Sequence, residues 1–477
     1  MYFEKIKSPL FHRFPVLFGF QAWASRLLRR AQVNRAVAYG IMTYGWRFVT
    51  GPVSIILIGT RFTPEVQGYY FTFGSLLALQ IFVELGLGTV IVQFASHEWS
   101  KLGLDSQGRI VGEAAALSRL VSLGRLAFRW YGVAGGITAV GLSLGGYIFF
   151  SQSPTPIGIN WIAPWFALCL LTGITMWLIS MWSLLEGCNQ VSRVYAFRMI
   201  QSILTSLALW AAILLGARLW TIAITTAVGI LWAIVFLARH YRHFFNPFLS
   251  APPGMRLSWH SDLWPMQWRL AVAYVFGYFS TWVFTPMLFH YHGAIEAGQF
   301  GMTWNLIFSV VGMASIWSAA RAPQFGMLIA RKEYAQLDRL LFRVMAASTS
   351  VLVISGLAVF LVIYMLPTFS PRFATRFMPL LPTSILIFGS IMALLGQPFS
   401  VYLRAHRKEP FMVLTIVMGI LTAFLTWLLG SRFGAMGAAV TYAGVASLVA
   451  FPWGIGIWFR CRTAWHAEVT ECPPTAD

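Results

Sequence analysis

One arginine stands inside the stretch "YGIMTYGWRFVTGP" (residues 39–52), where its neighbours are mostly apolar. A guanidinium at mid-span costs about 2.5–3.5 kcal/mol on insertion scales, so such a residue faces a bundle interior or a watery cavity. Arg47 therefore has two readings. In one, it locks onto Glu84, which sits at a similar depth in the next apolar run, "LQIFVELGLG". In the other, it faces a cavity and meets an anion, with Glu84 orienting it or titrating. A second group, Gln267–Trp268–Arg269, opens a later apolar run. Arg269 there is either an interface anchor that snorkels or a capture point for phosphate, whose oxygens match the guanidinium fork. Trp46 and Trp268 flank the two arginines. Their rings suit packing, a lipid belt or the face of a sugar.

Other chemistries are excluded or unsupported. None of the five lysines completes a GxxxxGK[ST] pattern, so the chain has no phosphate-binding loop of that kind. There is no HExxH. Cys169 and Cys188 lie in or near apolar runs and Cys461 and Cys472 near the C-terminus, without metal or disulfide spacing, so four free thiols and no metal or cofactor are expected. His290 and His292 fall in a connection and suggest no reaction.

The elements that must position these residues are membrane spans. Of 477 residues, 58% are hydrophobic and 10% charged, against about 25% charged in soluble domains. The net charge of +19 does not signal nucleic acid, because the basic residues fall in short clusters between apolar runs instead of on one patch. A span needs about 20 mostly apolar residues. That test marks spans near 36–59, 66–95, 126–150, 161–186, 194–215 and 217–238, then near 265–290, 297–320, 344–366, 378–403, 410–430 and 434–459. The expected architecture is all-α and polytopic, with two six-helix bundles. Segment 1–35 reads as a cytoplasmic, partly interfacial segment; the bundles occupy 36–238 and 265–460, joined by a linker at 239–264 and followed by a tail at 461–477. The N-terminal apolar run is broken by Pro15 and followed by "SRLLRRAQVNR", which disfavours export.

Charge sets the orientation. Of the 34 lysines and arginines, all but seven fall on one side of this layout; Arg61, Arg218, Arg372, Arg376 and Arg432 fall on the other, and Arg47 and Arg129 in spans. Both termini are thereby expected in the cytoplasm. The two halves also suggest a repeat. An ungapped register sets Gly68 on Gly298 and Tyr70 on Phe300, and two halves related by an axis along the membrane normal is a transporter layout. The Trp46–Arg47 and Trp268–Arg269 pairs do not align in it: Arg47 falls on Gly277.

Three stretches carry a family resemblance. "GTRFTPEVQGYYFTFGSLLALQIFVELGLGTVIVQFASHE" resembles the opening spans of bacterial polysaccharide flippases, the Wzx-like branch of the MOP superfamily. "LWPMQWRLAVAYVFGYFSTWVFTPMLFHYHGAIEAGQFGMT" is similar to their seventh and eighth spans, and "ARAPQFGMLIARKEYAQLDRLLFR" to the connection after the eighth. The resemblance covers residues 34–460 and implies a MATE-like fold in the bacterial inner membrane. It implies a flippase, not an enzyme: a transporter of lipid-linked oligosaccharide on undecaprenyl pyrophosphate for O-antigen, lipopolysaccharide or exopolysaccharide synthesis. Arg47 would then meet the headgroup and Arg269 capture it at the cytoplasmic mouth. The implied partners are that lipid, the membrane lipids, and a polymerase or export machinery; the chain is expected to be a monomer. The coupling ion, H⁺ or Na⁺, stays open. The alternatives are a multidrug exporter of the same fold, which favours an apolar or acidic cavity; a polymerase or ligase, which needs a long external loop; and a scaffold without transport.

Overall fold

The computed structural model describes residues 35–152, 158–250, 254, 258–406 and 410–467. Most of the expected interfacial segment and tail, with Cys472, lies outside the described residues. In the first half the main helices are α1 (Arg35–Arg61), α2 (Pro64–Leu77), α3 (Leu87–Trp99), α4 (Ala114–Ser151), α5 (Ile162–Gly187), α6 (Val191–Leu214) and α7 (Trp220–His240). In the second they are α8 (Trp264–Thr281), α9 (Phe284–Ala330), α10 (Tyr334–Phe369), α11 (Leu380–Ala405), α12 (Met412–Leu425), α13 (Ser431–Gly444) and α14 (Phe451–Ala467).

Among the described residues, nine helical stretches are long and apolar enough to cross a membrane. Two of them, Trp264–Ala330 and Met412–Trp465, have 67 and 54 residues, far beyond the roughly 20 that one crossing takes. Each bends at a glycine with non-helical torsions, Gly293 (φ 87°, ψ 179°) and Gly434 (φ 58°, ψ −137°), angles that a side chain would disfavour. Counting each as two crossings and adding α1 brings the number to twelve. The chain is an all-α, multi-pass membrane protein. Its outer surface agrees: on α4, Val133, Ile137, Val140, Leu144 and Ile148 recur every three or four residues, and each is more than half exposed. Water would penalise such a stripe, whereas lipid matches it.

Local chemistry sets several boundaries. Thr63 caps α2, its hydroxyl oxygen accepting from the Val66 backbone N–H at 3.3 Å, and Pro64 fills the first helical position, where no N–H is needed. The second expected span is not continuous. It passes through a short turn, Ile81–Glu84, then breaks at Leu85 and Gly86, both left-handed, before α3 begins. A hairpin follows, β1 (Leu102–Leu104) against β2 (Ile110–Gly112), antiparallel with Leu104 opposite Ile110. The sequence reading contained no strand here. The tight turn is made by Asp105, whose Oδ1 accepts from the Gln107 and Arg109 N–H groups at 2.8 Å.

The packing repeats. In the first half α1 lies on α6, α3 on α5, and α4 on α5; in the second α8 lies on α12, α9 on α11, and α10 on α11. By span number these are the same three pairings in each half. The halves meet chiefly where α2 packs along α9. At that contact Gly68 and Gly298 touch: a methyl added to Gly298 would sit 2.8 Å from the Gly68 nitrogen, and one added to Gly68 would collide with the Ala294 carbonyl oxygen. A residue can meet its own repeat counterpart only on the axis that relates the repeats, as in a two-fold interface. The Gly68–Gly298 register thus acquires a physical contact.

Candidate functional site

A cavity of about 660 Å³ lies between α1, α6, the start of α2 and the middle of α9. Two elements build its polar wall. On α1, Thr43, Arg47, Thr50 and Ser54 recur at three- or four-residue intervals and share one face. On α6, Arg198, Gln201, Ser202, Thr205 and Ser206 do the same, and Asn305 and Ser309 of α9 complete the chamber. The apolar end is made by Ile58, Tyr70 and Phe71. The cavity extends from there toward the starts of α1 and α6, the ends that adjoin basic connections.

Beyond Tyr70 and Phe71 the path is sealed. Gln67, buried, donates from Nε2 to the carbonyl oxygens of Gly298 (2.9 Å) and Arg376 (3.0 Å). Arg376, in the connection between α10 and α11, donates from Nη2 to the Phe62 carbonyl at 2.7 Å. Burial draws the Arg376 guanidinium below its ordinary pKa range, and the nearby Glu65 carboxylate opposes that shift. Behind the seal Tyr69, Phe73, Phe150, Trp165 and Phe289 form a fully buried aromatic cluster.

A second chamber of about 370 Å³ opens between α1 and α9. Phe48, Pro52, Leu306, Phe308, Val310 and Ile316 make it apolar, and it shares Arg47, Gly51, Ile55, Asn305 and Ser309 with the first. Arg47 thus stands on the boundary between a hydroxyl-rich chamber and an apolar one. It forms no ion pair among the described residues; the only side-chain hydrogen bond to it is from Thr50 to its backbone carbonyl, at 3.4 Å.

The remaining sequence candidates are dispersed. Glu84 does not reach Arg47. It accepts a hydrogen bond from the Tyr131 hydroxyl of α4 at 3.3 Å, because the break at Leu85–Gly86 turns this segment toward α4 and α8. Trp46 packs on α6, donating to the Ser202 carbonyl at 3.3 Å, with its ring 6.4 Å from that of Trp210. Gln267 is buried and accepts from the Trp259 indole N–H at 2.8 Å. Arg269 lies over the Trp268 ring at 5.7 Å, and both are exposed. Neither lines the two chambers. Arg198 reaches the wall while ion-paired to Glu186 at the end of α5. The polar stripe on α6 was the missed signal; it is readable in "SRVYAFRMIQSILTS" as a three-to-four-residue recurrence. Among the described residues, no group of three or more His, Cys, Asp or Glu could hold a metal, and Cys169 and Cys188 are buried free thiols.

This arrangement belongs to a polytopic membrane fold known from solved transporters. The lipid II flippase MurJ in an inward closed conformation matches with a TM-score of 0.61, over 92% of this chain and 94% of its own, at 11% identity. An inward-facing multidrug resistance MATE family transporter of the MOP superfamily matches at 0.58, over 90% and 96%, at 13% identity. The MATE multidrug transporter DinF-BH matches at 0.55, over 90% and 95%, at 15% identity. At these identities the likeness is one of fold. No family model and no curated protein matches the chain.

Proposed function

We propose that this chain is a secondary transporter that flips a lipid-linked oligosaccharide, borne on undecaprenyl pyrophosphate, across the bacterial inner membrane for surface polysaccharide synthesis. The observation that carries this reading is Arg47, which has no ion-pair partner among the described residues and stands on the wall shared by a hydroxyl-rich chamber and an apolar one. An amphiphile with an anionic junction needs those three environments in that order. Sugar hydroxyls meet Thr43, Ser54, Gln201, Thr205 and Asn305; the pyrophosphate meets the guanidinium fork; the prenyl chain runs along Phe48, Leu306 and Ile316 toward lipid.

The fold supports alternating access. With the basic connections in the cytoplasm, the chamber extends inward, and the Gly68–Gly298 contact, Gln67 and Arg376 close the periplasmic end. Transport requires that seal to part while the inner ends of α1 and α6 approach α9, and the substrate must bind the two states differently. The multidrug reading, which the MATE likeness keeps in view, fits less well. An organic cation calls for a carboxylate on the wall, and among the described lining residues there is none.

The test is complementation in a strain lacking its own flippase, scoring surface polysaccharide against membrane abundance. A charge-assisted hydrogen bond contributes about 1.5–3 kcal/mol, so Arg47→Ala should reduce export about tenfold or more at normal abundance, with Arg47→Lys intermediate. Equal export by all three proteins would reject the anion-binding role. Failure of the wild type with every lipid-linked substrate, combined with efflux of organic cations, would favour the exporter. Imposing H⁺ and Na⁺ gradients in turn on reconstituted protein identifies the coupling ion.

A further inference from the structure

Away from the central chambers, a cup of about 430 Å³ lies where α9 ends and α10 begins. Arg331, which caps the C-terminus of α9, and Arg339 and Arg343 on α10 line it, with Gln324 and Gln336 beside them and Leu340 among its apolar residues. The spacing explains the convergence. Gln324 on α9 and Arg331 at its C-terminal cap lie seven residues apart, while Gln336, Arg339 and Arg343 follow at three- and four-residue steps on α10, so each set occupies one side. The turn through Lys332 (φ 59°) reverses the chain and sets the two faces toward each other.

Among the described residues no carboxylate lines the cup, although Glu333 stands in the turn beside it. None of the three guanidinium groups forms an ion pair among the described residues. The adjacent acid, Asp338, is engaged elsewhere, accepting from Arg462 at 2.6 and 2.9 Å and from Tyr402 at 3.2 Å. Arg339 donates from Nε to the Ala335 carbonyl at 3.2 Å, a bond that steadies the side chain and leaves its two Nη groups for a ligand. Arg321 donates to the Gln324 Oε1 at 2.9 Å, which leaves the amide NH₂ of Gln324 as its free end. Arg339 and Arg343, four apart on a helix, repel each other. Arginines that merely anchor a helix end would fan outward; here three donors and two amides converge over an apolar floor.

We propose that this cup is a second anion site, specific for a phosphate group and separate from the transport cavity. The convergent forks match phosphate oxygens. The apolar floor, at the membrane-facing end of two spans, favours phosphate borne on a lipid, while a soluble phosphate or pyrophosphate offers the same chemistry. The assignment does not depend on the flippase reading.

The experiment uses the purified full chain in nanodiscs. In one arm the discs contain phosphatidylcholine with phosphatidylglycerol, and the phosphatidylglycerol that stays with the protein after exchange into detergent is quantified by mass spectrometry. In the other the discs are pure phosphatidylcholine, and inorganic pyrophosphate is titrated at constant ionic strength. The proteins compared are wild type, Arg331→Gln/Arg339→Gln/Arg343→Gln, the fork-deleting but charge-keeping Arg339→Lys/Arg343→Lys, and Arg239→Gln, an exposed arginine in the last turn of α7, as a basic-residue control away from the cup. Wild type and Arg239→Gln should retain phosphatidylglycerol or bind pyrophosphate, and the triple variant should bind about tenfold or more weakly, the worth of one charge-assisted pair. Lipid retention without pyrophosphate binding identifies a lipid headgroup; the reverse identifies a soluble anion. Equal binding by wild type and either cup variant, or no binding of either ligand by wild type, overturns the proposal. Should the triple variant fail to fold, the lysine pair decides: it keeps the charge, so undiminished binding by it refutes the fork geometry.

Discussion

Two faces of this molecule occupy equivalent places in the repeat and are built in opposite ways. In the first half α1 and α6 lie together but leave a hydroxyl-rich wall, with Arg47 making no ion pair among the described residues and Gly45 and Gly51 having no atom within 4 Å of where a methyl would go. In the second half α8 and α12 close on each other: a methyl on Gly419 would meet the Phe276 carbonyl oxygen at 2.6 Å. The α12 face is also far less polar than α6. One half thus leaves a polar hollow and the other a packed face. Repeat symmetry supplies two copies of a helix pair, and the side chains decide which copy is hollow.

The comparison can be broken most severely on the closed side. Gly419→Val forces the α8 and α12 backbones apart, and overpacking of this kind costs about 1–3 kcal/mol. A lower thermal midpoint in detergent and reduced membrane abundance are expected; an unchanged midpoint would mean that this face is as loose as the other. A smaller effect is expected from Glu186→Gln, which frees Arg198 as a second unpaired guanidinium on the open face. The pair is partly exposed, 46% for Arg198 and 23% for Glu186, and such pairs contribute about 0–1 kcal/mol. Stability should barely move, while binding of a pyrophosphate-bearing lipid, followed by fluorescence quenching, should tighten. Binding that stays constant would remove Arg198 from the wall. The smallest effect belongs to Gly45→Ala, on α1 but lining neither chamber. With open space around it and helical torsions, the change should stabilise by about 0.5–1 kcal/mol through the unfolded chain, read as a slightly raised midpoint with transport kept.

Much of this architecture was legible, and for identifiable reasons. Twelve crossings could be marked because about 20 apolar residues suffice for a span, although the sequence did not show that Gly293 and Gly434 bend helices that continue through them. Arg47 stood out because a charge in an apolar run demands a cavity or a partner. Its proposed partner was misjudged, since depth along two helices says nothing about azimuth, and Leu85 and Gly86 rotate Glu84 toward Tyr131. Gln267 stands beside the candidate Arg269 in sequence, but in the structure its carbonyl oxygen accepts from a local indole, Trp259. The polar stripe on α6 stays hidden when a span is marked by length and apolar content, which conceal a polar face.

The Gly68–Gly298 contact has a consequence for how this chain can diverge. A crowded pair of side chains can drift together, one growing as the other shrinks. Glycine has nothing smaller to become, and both members of this pair are already glycine. An enlargement at either position can therefore be answered only by moving the α2 and α9 backbones apart, which also lengthens the hydrogen bond from Gln67 to the Gly298 carbonyl. The contact on the repeat axis is a point at which compensation within the pair is closed off, so that the two halves, free to differ almost everywhere else, are held to the same residue there.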